Sequence, residues 1–190
     1  MTDMVSVQLS LLRHGETTEG KAYIGRSDPM LTALGRQQME AAVEGESACD
    51  GIVSSPRRRC LSFAQPLSEQ TDSSLIVMDE FAEYDFGVME GLTAVQVLEQ
   101  YPGVLEAFWE DPRRCSPPDA EPLPAFEQRL RRGLQSLLNR YAGQHLLVVC
   151  HGGVIRALRC LEQRQPIDQL LQYSAPHGAL YSLNLRADLL

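Results

Sequence analysis

Two histidines of this sequence stand in the same setting. Arg13-His14-Gly15 ends the run SLLRHGE, and His151-Gly152-Gly153 ends the run LLVVCHGG. The chain has four histidines in all. Two of four in the same pattern of apolar strand, histidine and glycine point to function rather than to core composition. Glycine after each histidine lets the backbone bend and expose its amide N–H groups. A third segment, residues 50–54, leads into Ser54-Ser55-Pro56 and then Arg57-Arg58-Arg59. Serine as N-cap and proline at the first helical position predict a helix start there. Such a start offers unpaired N–H groups and positive dipole to an anion.

Arginines beside histidines, in a chain of net charge −8, describe a confined anion site rather than a basic face. Fixed arginines and a helix N-terminus match the charge and forked geometry of phosphate. A neutral imidazole can attack phosphorus, and the P–N bond it forms is readily hydrolysed. Arginines and a second histidine would offset charge on the equatorial oxygens. The leaving alcohol then needs a proton, which a carboxylic acid in the loop at 79–90 would supply. No HxH or HExxH ligand pattern is present, and arginine beside a histidine repels a cation, so no metal and no cofactor is expected. His145 and His177 lack the strand–His–Gly context and read as structural or exposed.

Elements that place these residues alternate along the chain. Strands are predicted at 5–12, 50–54, 74–78, 145–150 and 178–185. Helices are predicted at 32–44 behind a Thr32 cap, from Ser54-Ser55-Pro56 to about Ser68, at 93–110 with a break at Pro102-Gly103, at 123–142 and at 153–162. Residues 79–92 form an irregular acidic and aromatic loop, and 111–122 a proline-rich loop. The alternation implies an α/β fold: a three-layer α/β/α sandwich on a mainly parallel central sheet, with a small helical and loop cap. Ligands of such sheets bind beyond the carboxyl ends of the strands, where both histidines fall.

Composition narrows the partners. With 190 residues, 44% hydrophobic and 22% charged, the chain suits one globular domain. Its acidity argues against nucleic acid, and no apolar run approaches a membrane span. The N-terminal stretch makes a poor signal peptide. Five cysteines without a CxxC pair read as reduced thiols of a cytoplasmic protein. The expected partner is a small-molecule phosphate monoester; a homodimer stays open.

LLRHGET at 11–17 resembles the signature of the histidine phosphatase superfamily, the phosphoglycerate-mutase-like enzymes. GRSDPMLTALGRQQ at 25–38, SSPRRRC at 54–60, EYDFGVMEG at 83–91 and HGGVIR at 151–156 resemble further family elements, in the family's order. The resemblance covers nearly the whole chain. It implies one domain over 1–190, with the cap at about 79–122. By position, it makes His14 the phosphorylated nucleophile, Arg13 and Arg59 the phosphate clamps, His151 the stabiliser of the transferring group, and Glu83 the proton donor. Thr17, Tyr23, Arg26 and Gly152 join the substrate- and phosphate-binding set. The sequence departs from the family in Gly20, where asparagine is frequent, in Arg57, where leucine is usual, and in Asp119-Ala120-Glu121.

Within the superfamily, the short chain, the loop at 20–23 and the brief cap are most similar to the alpha-ribazole phosphatases of cobalamin assembly. Alternatives are a phosphoglycerate mutase, a sugar (bis)phosphate phosphatase and a phosphate-binding module without turnover. Tyr23 and Trp109 offer flat faces for a planar base, whereas Lys21 and Arg26 would meet a second anionic group.

Overall fold

The computed structural model describes residues 6–46 and 48–190; Val5, the first residue of the expected opening strand, lies outside them. Five strands form one sheet: β1 (Ser6–Arg13), β2 (Gly51–Ser54), β3 (Ser74–Val77), β4 (His145–Cys150) and β5 (Leu180–Arg186), in the order β3-β2-β4-β1-β5. The first four in that order run parallel, and β5 closes the β1 edge antiparallel. Six α-helices are described: α1 (Ala33–Val43), α2 (Arg58–Thr71), α3 (Ala94–Gln100), α4 (Val104–Glu110), α5 (Leu123–Arg140) and α6 (Gly152–Glu162).

Side-chain alternation along β4 divides the core in two. Leu147 and Val149 face Met39 of α1 and Cys60, Phe63 and Ala64 of α2. Leu146, Val148 and Cys150 face the other way, into a larger cluster with Leu130, Leu134 and Leu137 of α5 and Val154, Ile155 and Leu158 of α6. A strand buried on both faces reads as a continuous apolar run, which is why HLLVVC signals a central parallel strand. Val97 of α3 and Leu105 and Phe108 of α4 belong to this larger cluster, so the cap shares the core of the sheet.

The sequence-predicted elements are present, with two instructive differences around α2. The helix begins at Arg58 rather than beside Ser55, and no hydroxyl caps it. The Asp28 carboxylate accepts from the Arg58 N–H at 2.7 Å instead. That N-terminus is therefore occupied by a carboxylate of the chain itself, contrary to the expectation that it greets a bound anion. At its other end α2 runs past Pro66 to Thr71. Pro66 supplies no N–H to the Ser62 carbonyl four residues earlier, and the Arg36 guanidinium of α1 donates to that carbonyl at 2.7 Å instead.

Behind the first histidine, β1 passes over the start of α1. A Cβ on Gly15 would lie 1.9 Å from the Gly35 carbonyl oxygen, and a Cβ on Gly35 would lie 2.1 Å from that of Glu16. Two glycines face each other because neither backbone leaves room for a side chain. Thr32 Oγ1 accepts from the Gly35 N–H at 2.9 Å, and the Thr32 N–H donates to the Glu16 carbonyl at 3.0 Å. Gly35→Ala is expected to destabilise the fold by ~1–3 kcal/mol, the usual cost of overpacking, measured by urea unfolding. A stability equal to the parent chain's would contradict this close approach.

Candidate active site

Strand register alone brings the histidines together. Arg13 pairs with Cys150 in the β1–β4 ladder, and the next residues, His14 and His151, leave the sheet side by side. The His14 N–H still donates to the Cys150 carbonyl at 2.9 Å. The two rings lie 5.2 Å apart at 65°. On the far side of β4, the Ser55 N–H donates to the Val149 carbonyl at 3.0 Å, which places Ser55 under His151.

Hydrogen bonds settle both tautomers. His14 Nδ1 lies 2.8 Å from the Gly15 carbonyl oxygen. A carbonyl only accepts, so Nδ1 carries the proton and Nε2 keeps a free lone pair. Arg59 Nε donates to His151 Nδ1 at 3.3 Å; His151 Nε2 therefore holds the proton and donates to Ser55 Oγ at 2.7 Å. Both rings are buried, and burial above all, then the Arg59 guanidinium, holds each well below the ordinary histidine value. Neutral imidazole is thus the resting form, as an attacking nitrogen requires.

Arg13 donates to the Ala175 carbonyl, while its Nε is buried without a partner. Burial lowers its pKa to about 10, so it remains a cation at neutral pH. Gly152 sits against it: a Cβ there would come within 3.2 Å of the guanidinium carbon. Glu83 is buried at the rim, its carboxyl accepting from the Tyr84 N–H and, across the gap, from the Gly153 N–H, each at 3.0 Å.

A cavity of about 470 Å³ opens at this rim, and Arg13, His14, Thr17, Tyr23, Glu83 and Gly152 line it. Much of the remaining wall is apolar, with Phe86, Phe108, Trp109, Leu170 and Leu171. Tyr23 packs its ring 5.2 Å from Phe86. Gly20 and Lys21 also stand on the wall. Gly20 has φ +60° and nothing near a would-be Cβ, so its position presents backbone where asparagine is usual.

Other expected site residues stand elsewhere. Arg26 is 55% exposed and pairs with Asp85 at 3.6 Å, away from the cavity. Arg59 is fully buried, and four of its five N–H groups are engaged, by the carbonyls of Ile24, Gly25 and Ser27 and by His151. As found, Arg59 and His151 form a layer behind the nucleophile, outside the cavity wall. Arg57 is likewise absent from that wall. Glu121, in the atypical Asp119-Ala120-Glu121 stretch, turns from the cavity to grip Arg129 at 2.7 and 2.9 Å.

Sequence reasoning missed four contributors. Arg129 donates to the carbonyls of Glu80, Ala82 and Glu83, fixing the loop that carries the acid. The Glu90 carboxylate gathers the N–H groups of Gly25, Arg26, Ser27 and Phe86, holding the loop whose carbonyls receive Arg59. Arg156 lines the cavity, one helical turn beyond Gly152 and therefore on the same face of α6, a periodicity that would have found it. His177 lines it too, 5.5 Å from the His14 ring; no local pattern marks it, and its reading as structural or exposed is corrected. Among the described residues, no group of three His, Cys, Asp or Glu side chains could hold a metal ion, and no helix is long and apolar enough to cross a membrane.

The sheet thus delivers a buried, neutral histidine, an arginine and a carboxyl to one rim. The chain belongs to the histidine phosphatase superfamily (branch 1), whose family model matches residues 9–189. A bifunctional protein of Mycobacterium tuberculosis is 34% identical over 185 residues, covering 94% of this chain and 47% of that protein; the chain spans about half the length of that relative. Phosphoserine phosphatase 1 of Hydrogenobacter thermophilus is 29% identical over 158 residues, with coverage of 81% and 75%. Among solved structures, a mycobacterial glucosyl-3-phosphoglycerate phosphatase superposes with a TM-score of 0.81 at 28% identity, over 94% of this chain and 90% of its own. The alpha-ribazole phosphatase of Shigella flexneri gives 0.81 at 23% identity, over 92% and 89%, a likeness of fold.

Burial of neutral histidines has a sign that pH reveals. A lowered folded pKa means that the unfolded chain protonates first, so stability is complete above the ordinary histidine value of about 6.5 and declines as pH falls below it. NMR titration is expected to show no His14 inflection near pH 6.5, whereas His177, held down by burial and Arg13, inflects near about 4. An ordinary His14 titration would contradict the buried, cationic surroundings.

Proposed function

We propose that the chain hydrolyses phosphomonoesters through a phosphohistidine on His14. The observation that carries this reading is the His14 ring itself: Nδ1 is committed to the Gly15 carbonyl, and Nε2 is left with a lone pair beside Arg13 and Glu83. Nε2 attacks phosphorus, the P–O bond to the leaving group breaks, and protonated Glu83 gives its proton to that oxygen. Water then attacks the phosphorus, returns a proton to Glu83, and the P–N bond breaks to release phosphate. Arg13 supplies fixed positive charge throughout. Arg59 keeps His14 and His151 neutral from behind.

Alpha-ribazole 5′-phosphate, a monoester of cobalamin assembly, is the leading substrate. Supporting it are the aromatic and aliphatic wall, the short cap and the fold shared with the Shigella enzyme. A flat, largely uncharged leaving group suits Tyr23, Phe86 and Trp109. The exposed pairing of Arg26 with Asp85 removes one of the two cations expected to favour a bisphosphate. Relatives named for phosphoserine and for glucosyl-3-phosphoglycerate define the competing substrates.

His14→Ala is expected to lower turnover of p-nitrophenyl phosphate by more than roughly a thousandfold; substantial residual activity in a clean preparation would sink the nucleophile. kcat/KM across alpha-ribazole phosphate, phosphoserine, glucosyl-3-phosphoglycerate and fructose 2,6-bisphosphate tests the substrate. A preference for any of the other three would overturn the alpha-ribazole reading and leave His14 standing. Glu83→Gln is expected to slow alkyl phosphates far more than aryl phosphates with good leaving groups. Equal slowing would make Glu83 a positioning group.

A further inference from the structure

Residues 173–175, just before the turn into β5, offer their carbonyls to alternate sides. Arg156 Nε donates to the Tyr173 carbonyl at 2.9 Å, and Arg13 donates to that of Ala175. Between them, the Ser174 carbonyl accepts from Arg159 Nη1 at 3.3 Å and from the Tyr181 hydroxyl at 2.9 Å. Alternation of this kind is the habit of extended backbone, which Pro176 imposes on the residue before it. The outward carbonyl keeps Arg159, whose guanidinium lies over the Tyr173 and Tyr181 rings. The other two seat Arg156 and Arg13, both on the cavity wall.

Carbonyls two residues apart on an extended chain are spaced by about 7 Å. Helix α6 repeats the interval. Gly152 lies against the Arg13 guanidinium, and Arg156 follows four residues later, about 6 Å along the helix axis. A second guanidinium therefore stands at a set distance from Arg13. Its Nε is taken by Tyr173, and among the described residues the side chain forms no other hydrogen bond and no ion pair. It is half-buried, so both Nη groups are left to whatever enters the cavity. Its charge is felt on either side: after burial and Glu83 it is the next influence on Arg13, and at Tyr23 it opposes the rise that burial imposes.

We propose that Arg156 is a specificity residue of this cavity, donating an Nη N–H to an oxygen of the leaving alcohol a few bonds beyond the ester oxygen. The assignment rests on the phosphomonoester reading of the same site. It narrows the substrate class to esters whose alcohol carries a second oxygen on the α6 side. The ribose of alpha-ribazole phosphate presents hydroxyl and ring oxygens there; phosphoserine and glucosyl-3-phosphoglycerate present carboxylates. Arg156 forms no bond to phosphorus and moves no proton. A site built to donate to a substrate oxygen rejects the analogue that lacks it, because the donor is then left unpaired.

Propyl phosphate, glycerol 1-phosphate and 3-phosphoglycerate share a three-carbon alcohol and differ in its oxygens. Their kcat/KM values test the proposal in the full chain, in Arg156→Ala and in Arg156→Lys, each with its melting temperature recorded. The quantity read is kcat/KM on an oxygen-bearing ester divided by that on propyl phosphate. The parent chain is expected to favour the oxygen-bearing esters. Arg156→Ala is expected to lower the ratio by roughly ten- to a hundredfold, the scale of one hydrogen bond to a charged group, and lysine to recover part of it. Loosening of residues 173–175 would weaken the support of Arg13 and slow all three esters alike, so it cancels in the ratio. A fall confined to 3-phosphoglycerate identifies a carboxylate as the oxygen read, and a fall on glycerol 1-phosphate as well identifies a hydroxyl; either upholds the assignment. A ratio unchanged in Arg156→Ala for both esters would overturn it, as would a parent chain that turns over p-nitrophenyl phosphate and none of the three. No turnover of any of these four esters by the parent chain would remove the phosphomonoester reading itself.

Discussion

Two parallel strands in register do most of the work of assembling this site. Because β1 and β4 are neighbours and Arg13 pairs with Cys150, the residues that follow must emerge at the same height. Proximity of His14 and His151 is thus a property of the ladder, and needs no long loop folded over the rim. Displacing one strand by a single residue would turn its side chains to the opposite face and part the rings. Register is protected by the core: Leu9 and Leu11 point to one helical layer and Leu12 to the other, so any slip would drive apolar side chains out of both.

Arg59 sits at the centre of that arrangement as a buried cation without a close carboxylate. Its nearest acid, Asp28, stands 3.9 Å away, and backbone carbonyls of residues 24, 25 and 27 take most of its donors. Removing a guanidinium from water is costly, and here backbone dipoles, with Asp28 at the edge of ion-pair range, compensate. The positive charge adds to burial in depressing both histidines. Glu90 makes this tenable: by collecting the N–H groups of residues 25–27 it fixes the loop whose carbonyls face Arg59. Burial similarly pushes the nearby Cys60 thiol up to about 12, so no thiolate competes for the charge.

Features with a local signature were legible in the sequence. The five strands, the break between α3 and α4, the Thr32 cap and the convergence of Arg13, His14 and His151 follow from periodicity, punctuation and the parallel-sheet rule, whereas Glu83 among the acids of its loop is singled out only by the family resemblance. Partners fixed by long-range contacts were not. Ser55 resembles a helix cap, yet its hydroxyl serves His151, and Asp28, thirty residues earlier in the chain, takes over the helix end. Arg26 resembles a ligand because it lies in a basic loop, but a neighbouring turn supplies Asp85 first. His177 carries no pattern, since its meaning comes only from where β5 re-enters beside β1.

Chemistry and selectivity are drawn from separate parts of the chain. Arg13, His14 and His151 follow directly from the ends of β1 and β4, and Glu83 stands in a loop tied to the first turn of α6, so a change among the first three disturbs the sheet. Much of the cavity wall is assembled from residues 20–24, 84, 86, 108–109 and 170–171, all outside the strands. Such a division makes the site evolvable in one direction only. Substitutions in the wall can change what the cavity accepts at little cost to stability, while the histidines and arginines beneath stay in place.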